Sequence, residues 1–165
     1  MSANRAGDLM SAAGGLWSIA DADWRDYTQL TALEKTCFPK EDVWPFWDLI
    51  GALTLPGLVR LKAVMEGQIV GFISGEREAG RRLGWVTSLA VAPPYRRRGI
   101  AVALLAECES ALGMPAVRLS VRATNQAAIG LYEAAGYTLV DRWKKYYPGG
   151  EDALVFEKKL LITGL

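Results

Sequence analysis

The stretch from Ala92 to Leu112, APPYRRRGIAVALLAECESAL, constrains the fold more than any other part of this 165-residue chain. The apolar run before it is a predicted buried strand, and the Pro93-Pro94 pair must end that strand because proline cannot donate to a strand ladder. After Gly99 the apolar side chains recur at helical spacing, so a helix is predicted over the rest of the stretch. A buried strand followed by a turn and a helix indicates a mixed α/β fold.

The apolar patterns of the remaining chain extend this unit into a complete domain. In chain order, the predicted elements are β-α-α-β-β-β-α-β-α-β-β. Residues 15–165 are therefore expected to form a single α/β domain, in which a central mixed sheet of about seven strands is flanked by about four helices. Residues 1–14 are small, polar and glycine-rich, and they are expected to be a flexible leader rather than a signal peptide or membrane anchor.

The chain contains no histidine, and this excludes whole classes of catalysis. Ser-His-Asp and Cys-His nucleophiles are ruled out, and a transition-metal enzyme is disfavoured, so no metal site is expected. The net charge of +1 creates no global field for nucleic acid or a membrane surface, so neither partner is expected. Cys37 and Cys108 are too few for a disulfide framework and are expected to be reduced thiols in a cytoplasmic protein.

Three consecutive arginines before Gly99 are unusual at a helix start, because cations stabilise the opposite end of a helix. The first N–H groups of a helix lack partners, and a phosphate would accept hydrogen bonds from them and pair with the arginines. A glycine lets such a phosphate approach the backbone where a Cβ atom would intrude. The alternative is a solvated basic turn. The Walker pattern and the three-glycine dinucleotide fingerprint are both absent from this stretch.

Three spaced motifs resemble those of one enzyme superfamily. LAVAPPYRRRGIAVALL is similar to the acetyl-CoA-binding motif of the GNAT (GCN5-related N-acetyltransferase) superfamily, in which Gln/Arg-x-x-Gly-x-Gly/Ala follows a central strand. VRLSVRATNQAAIGLYEAAGY resembles the stretch in which an asparagine and a helix tyrosine of that family face the coenzyme thiol. KKYYPGGEDALVFEKKL, with CFP earlier in the chain, resembles the protein N-terminal (alpha-amino) acetyltransferases, including the ribosomal-protein alanine acetyltransferases.

The resemblance implies a GNAT-like fold whose sheet is splayed to admit acetyl-CoA. The coenzyme pyrophosphate is expected on the N–H groups of the helix start, and the pantetheine arm along SLAV, where the Leu89 N–H would polarise the thioester carbonyl. Asn125 is expected to contact the pantetheine region or to cap a helix, and these two roles are compatible. The expected coenzyme-binding residues are Leu89, Val91, Arg96, Arg97, Arg98, Gly99, Ile100, Ala101, Asn125 and Tyr132.

Three residues are expected to be catalytic by the same resemblance: Tyr132, Glu41 and Ser120. Tyr132 matches the acid that protonates the departing thiolate, although the apolar stripe of its own helix also fits core packing. Glu41 lies where some relatives place a glutamate near the substrate amine. Ser120 replaces the glutamate or histidine of relatives, and an alcohol can hold a water but cannot itself act as a base near neutral pH. Three further carboxylates are alternatives for the base, unless they are surface charges or loop ends: Glu76, Glu151 and Asp152.

The missing strong base favours an acceptor amine of low pKa. An α-amine has a pKa of about 7.7–8.0, whereas a lysine side chain, at about 10.4, needs far more assistance. A peptide or protein N-terminus is therefore the expected acceptor, with a small-molecule amine as the rival and a non-catalytic acyl-CoA sensor as the alternative class. A monomer or homodimer is expected. The resemblance implies that Phe38, Glu41, Tyr146 and Tyr147 bind the acceptor, although exposed aromatics at a hairpin end would look the same.

Overall fold

The computed structural model describes residues 10–12 and 15–161, and these residues form one eight-stranded sheet and four α-helices. The strands are β1 (Met10–Ala12), β2 (Gly15–Asp21), β3 (Val59–Met65), β4 (Gln68–Glu78), β5 (Leu83–Val91), β6 (Ala116–Arg122), β7 (Thr138–Trp143) and β8 (Ala153–Lys159). The helices are α1 (Tyr27–Cys37), α2 (Phe46–Thr54), α3 (Ile100–Leu112) and α4 (Gln126–Ala134). The mixed α/β class and the order of the predicted elements are confirmed.

Strand β1 is an addition to the predicted order. It pairs antiparallel with β2, with Met10 opposite Trp17, and it falls within the 1–14 segment that was expected to be a leader. Residues 1–9 and 13–14 of that segment lie outside the described residues. The division into a leader and a 15–165 domain therefore stays a prediction.

The sheet has the spatial order β1-β2-β3-β4-β5-β6-β8-β7, and only β5 and β6 of the described strands run parallel. These two strands pair at three positions, from Leu83 opposite Ala116 to Trp85 opposite Arg118, and then diverge. A parallel pair requires a crossover connection, and α3 provides it. The second half of each strand therefore borders a wedge-shaped opening in the middle of the sheet.

Different helices cover the two faces of the sheet. On one face, Leu104 and Cys108 of α3 pack in the same cluster as Tyr132 of α4. On the other face, Leu53 of α2 packs in a cluster around Phe72 of β4, together with α1. Within the described residues, no helix has the length and apolar character needed to cross a membrane.

A close contact between α3 and the sheet depends on Gly75 of β4. A Cβ atom at this position would lie 2.9 Å from Cys108 Sγ, which is closer than real Cβ contacts allow, and 3.0 Å from the Trp85 carbonyl oxygen, which is a very tight contact. The register of β4 against β5 also shifts between Ser74 and Gly75. Such a bulge bends the strand, and here it lies next to the point at which β5 leaves β6.

Candidate functional site

The wedge between β5 and β6 opens into a cavity of about 1450 Å³. Its wall contains most of the residues singled out in the sequence: Phe38, Leu89, Val91, Arg96, Arg97, Gly99, Ile100, Ala101, Ser120, Asn125, Tyr132, Tyr146 and Tyr147. Two expected site residues are not part of this wall: Glu41 and Arg98. Residues that are far apart in the chain therefore meet at one opening in the sheet.

The N-terminus of α3 forms one end of the cavity. Gly99 precedes the helix with φ +82°. The N–H groups of the first turn have no intrahelical acceptor, and no side chain of the described residues caps them. Arg97 is also in the left-handed region, with φ +61°, a conformation that non-glycine residues adopt rarely. No heavy atom lies within 4 Å of the position that a Gly99 Cβ atom would occupy, other than those of the adjacent residues. This combination leaves the donors accessible to an anion.

The three arginines before α3 have different surroundings. Arg96 donates from Nε to the Val91 carbonyl oxygen at 2.9 Å, and the Cys37 thiol donates to the same oxygen at 3.4 Å. Arg98 folds back, donating to the Pro94 carbonyl at 3.3 Å with its guanidinium 5.3 Å from the Tyr95 ring centre. The Arg98 side chain therefore braces the turn, and its contribution to an anion site is limited to its backbone.

Tyr132 lies at a position that fits both interpretations left open by the sequence. Its side chain is 8 % exposed and belongs to the core cluster beside α3, yet it also lines the cavity. Burial raises the pKa of Tyr132 to about 12, and the nearby Tyr147 ring adds to this effect. A tyrosine with this pKa keeps its hydroxyl proton at neutral pH, so it is available as a proton donor.

Asn125 and Ser120 are both held by defined hydrogen bonds. The Asn125 side chain caps α4 by accepting from the Ala128 N–H at 3.2 Å, and the same residue lines the cavity. Ser120 Oγ accepts from the Tyr147 hydroxyl at 3.4 Å, and burial raises the pKa of Tyr147. The pair therefore presents neutral hydroxyl groups where a strong base was missing from the sequence.

Arg122 joins both sides of the cavity at the end that Tyr147 lines, and the sequence analysis did not assign it a role. It makes two hydrogen bonds to the Asp42 carboxylate, at 2.7 and 2.8 Å, and one to Glu151 at 2.9 Å. Its guanidinium also lies 4.5 Å from the centre of the Tyr147 ring. One side chain thus links β6, the segment between α1 and α2, and the loop between β7 and β8.

The carboxylates that were alternatives for the base are mostly engaged elsewhere. Glu151 accepts hydrogen bonds from the Thr124 hydroxyl and N–H and from Arg122, and these contacts lower its pKa. Asp152 accepts from the Lys145 N–H and from Arg142, which lowers its pKa as well. Both carboxylates therefore stay ionised and hold the loop.

Glu41 and Glu76 differ in their access to the cavity. Glu41 lies exposed on a short 3-10 turn, Lys40–Asp42, and it is the next residue, Asp42, that turns toward Arg122. Glu76, which the sequence left as a surface charge or a base, is exposed and lines the cavity. The turn geometry thus places Asp42, and not Glu41, in the cavity wall.

Glu34 is a buried carboxylate beneath the segment between α1 and α2, and the sequence analysis missed it. It is 1 % exposed, and its Oε2 accepts from the Trp44 N–H at 3.2 Å, while its Oε1 has no partner among the described residues. Burial raises the pKa of Glu34 to about 7, and the hydrogen bond from Trp44 only partly opposes this. The spacing in α1 could have indicated this burial. Glu34 lies four residues after Leu30 and next to Leu33, so its side chain shares their helix face and points to the core.

A row of aromatic rings lines the side of the cavity that contains Ser120 and Tyr147. Trp143 lies 5.9 Å from Trp85 and 5.0 Å from Tyr146, and Tyr146 lies 5.1 Å from Tyr147, measured between ring centres. Trp143 is part of the cavity wall. These rings provide a rigid apolar surface beside the Ser120 and Tyr147 hydroxyl groups.

Comparison with known proteins agrees with this geometry. Residues 16–137 match the model of the acetyltransferase (GNAT) family. The catalytic subunit NAA10 of the N-terminal acetyltransferase A complex of Arabidopsis thaliana is 33 % identical over 142 residues, covering 82 % of this chain and 73 % of that protein.

Two solved structures share the fold. The ribosomal-protein-S18-alanine N-acetyltransferase of Escherichia coli superposes with a TM-score of 0.79 at 24 % identity, covering 90 % of this chain and 96 % of the other. NAA60 of Arabidopsis thaliana in complex with acetyl-CoA superposes with a TM-score of 0.77 at 22 % identity, covering 87 % and 99 %. At these identities the likeness establishes the architecture of the sheet and helices.

Proposed function

The chain belongs to the acetyltransferase (GNAT) family, and from this premise we propose that it transfers an acetyl group from acetyl-CoA to the α-amine of a peptide or protein N-terminus. It is an acetyl-CoA-dependent N-acetyltransferase. The observation that carries the choice of acceptor is the cavity itself. It runs from the uncapped start of α3, past buried Tyr132, to an aromatic wall with two neutral hydroxyl groups.

The residues at the start of α3 fit the phosphate groups of the coenzyme. The open position above Gly99 and the free N–H groups of the first turn accommodate an anion. Ile100 and Ala101 provide two of these donors, and Arg97 lines the same end. Arg96 supports the turn through the Val91 carbonyl. Bound acetyl-CoA supplies the thioester that an amine can attack.

The half of β5 that does not pair with β6 and the Tyr132 hydroxyl are the groups assigned to the reacting centre. The backbone of Leu89 and Val91 borders the wedge, where β6 no longer pairs with β5, so a Leu89 N–H donor can polarise a carbonyl oxygen. Asn125 lines the same region while capping α4. Tyr132 holds its proton at neutral pH and donates it to the sulfur atom as the thiolate leaves.

The acceptor amine is positioned by neutral groups rather than by a strong base. An α-amine with a pKa of about 8 is neutral to roughly a tenth at pH 7, so a useful fraction is ready to attack. Ser120 and Tyr147 offer hydroxyl oxygens that orient the amine or a water that receives its proton. Phe38 and Tyr146 flank the approach. Glu41 lies outside the cavity wall, so we assign it a role only at the entrance of the cavity, where the acceptor approaches.

The cellular compartment, the oligomeric state and the partners of the enzyme are also part of the proposal. Cys37 and Cys108 are free thiols, which suits the reducing cytoplasm. The working unit is proposed to be a monomer or homodimer whose macromolecular partner is the acceptor, with no role for nucleic acid or a membrane. Residues 15–165 are proposed to act as one catalytic domain.

A peptide library tests the acceptor class. The protein is incubated with acetyl-CoA and peptides that carry a free N-terminus and one internal lysine, and thiol release and peptide mass are followed. Fragmentation should locate the acetyl group on the α-nitrogen, and N-blocked versions of the same peptides should give no thiol. Transfer only to polyamines or amino sugars would show that the acceptor is a small molecule. Tight coenzyme binding without thiol release from any amine would show a non-catalytic sensor.

A further inference from the structure

A second, smaller groove opens beside the first cavity on the α2 side of the sheet. It has a volume of about 410 Å³ and lies between α2 and the β4–β5 pair. Trp44, Glu76 and Thr87 belong to the walls of both spaces, so the groove is a continuation of the acceptor end. The floor away from this junction is apolar, with Leu55 and Leu58.

The charges of this groove are of one sign. Asp48 and Glu76 are both exposed and line it, and no cationic side chain is among the described residues of its wall. Two neighbouring arginines are directed to backbone carbonyls: Arg60 donates to the Leu55 carbonyl at 2.9 Å and Arg77 to the Leu112 carbonyl at 2.8 Å. An apolar floor with two carboxylates suits a long cationic side chain, whose stem is apolar and whose end is charged.

Trp47 adds an aromatic face to the same groove. Its side chain is 77 % exposed, the largest solvent access among the aromatic residues of this wall. Phe46 nevertheless packs edge-on against it, with the two ring centres 4.9 Å apart. Phe46 in turn packs against Tyr27, with ring centres 5.2 Å apart. A supported and exposed indole ring attracts a cation through its π face.

The distance from the reacting centre sets which acceptor residue reaches the groove. Leu89, assigned above to the thioester carbonyl, and Thr87, in the groove wall, are two residues apart on β5, which is about 7 Å along a strand. An extended peptide advances by a similar rise of about 3.4 Å per residue. A peptide that has its first residue at the carbonyl and runs along β5 toward Thr87 therefore brings its second or third residue beside the groove.

From these observations we propose that the groove binds a lysine or arginine side chain at the second or third residue of the acceptor peptide. The stem packs on Leu55 and Leu58, and the charged end lies between Asp48, Glu76 and the Trp47 ring. This assignment rests on the proposed function, because it requires an acceptor whose N-terminus enters the first cavity. It goes further by naming the chemical class of residue that the enzyme selects.

Peptides that differ only at positions 2 and 3 test the assignment. With lysine, arginine, glutamine, leucine or glutamate at these positions, kcat/KM should be highest for the two cations and lowest for glutamate. In Asp48→Asn the preference for lysine over glutamine should fall about threefold, and in Asp48→Asn/Glu76→Gln about tenfold, as expected for exposed ion pairs. Trp47→Leu should lower the affinity of a lysine peptide, measured by fluorescence anisotropy with coenzyme A present, and spare the glutamine peptide.

The controls separate this proposal from the function on which it rests. Glu107→Gln removes an exposed carboxylate from α3, on the opposite face of the sheet, and should leave the lysine preference unchanged. If all N-terminal peptides are acetylated equally, or if leucine is preferred, the groove assignment is overturned and the acceptor class stands. If no peptide is acetylated while small amines are, both proposals are overturned. Loss of folding in a variant is detected by circular dichroism, and Asp48→Asn alone then decides, since its side chain is exposed.

Discussion

Replacing Glu34 by glutamine is expected to stabilise the protein at pH 8 and to have a smaller effect at pH 5. Glu34 is almost fully buried, and one of its carboxylate oxygens has no partner among the described residues. Burial raises its pKa from 4.5 to about 7, so the folded protein binds this proton more tightly than the unfolded chain does. The contribution of Glu34 to the free energy of unfolding is therefore fully present below pH 4.5. It is lost as the pH rises toward 7, where the carboxyl of the folded protein also ionises.

The size of this effect follows from the change in proton affinity. A tenfold change in affinity corresponds to about 1.4 kcal/mol, so a rise in the pKa from 4.5 to about 7 corresponds to at most about 3 kcal/mol. Relaxation of the folded protein around the charged carboxylate reduces the expected value to about 2 kcal/mol. Glutamine has the shape of the protonated acid and keeps an oxygen that can accept from the Trp44 N–H, which Glu34 accepts at 3.2 Å.

Urea denaturation at pH 5, 6, 7 and 8 measures the difference between Glu34→Gln and the parent protein. The free energy of unfolding of the variant should exceed that of the parent by about 2 kcal/mol at pH 8 and by less than about 1 kcal/mol at pH 5. Glu107→Gln, the same substitution at an exposed helical position, should show no such trend with pH. A difference that does not change with pH, or a variant that is less stable at pH 8, would refute the assignment of an uncompensated buried carboxylate.

Three further variants address the catalytic cavity. Tyr132→Phe should lower kcat by about a hundredfold while coenzyme affinity is kept, and unchanged thiol release would contradict its role as the acid. Gly99→Glu should abolish coenzyme binding in calorimetry, whereas Gly67→Glu, at a φ of +75° and in open space, should match its strain but bind normally. Arg122→Met should lower the free energy of unfolding and raise KM for the acceptor, because the Asp42 and Glu151 carboxylates lose their partner. Equal stability of that variant and the parent would show that the cluster contributes nothing.

The order of elements was predictable because periodicity reports burial directly. In β3 and β6 every second side chain is buried, as the alternation in Val59–Met65 and Ala116–Arg122 predicted. The start of α3 was predictable for another reason. Prolines, arginines and Gly99 conflict with an isolated helix, and a conflict of this kind points to a ligand.

Contacts that depend on distant segments were not predictable. Arg122 and Asp42 are 80 residues apart, and nothing local in either segment indicates the other. The three arginines before Gly99 look equivalent in the sequence, yet the positive φ of Arg97 reverses the chain and sends the Arg98 side chain back over Tyr95. The burial of Glu34 likewise depends on α2 and on the segment that precedes it packing over α1.

The early separation of β5 from β6 gives the sheet two edges in its interior. Exposed strand edges recruit other strands, and proteins commonly cover them or interrupt them with proline. Here α3 and α4 border the gap on one side, the aromatic wall borders it on the other, and Pro93 and Pro94 follow β5 directly. A slender, unbranched chain can lie along the free edge of β5, and the elements that border the gap hinder a whole strand of another molecule from pairing there. The same gap therefore acts as a filter that guards the protein against joining its own sheet to that of a neighbour.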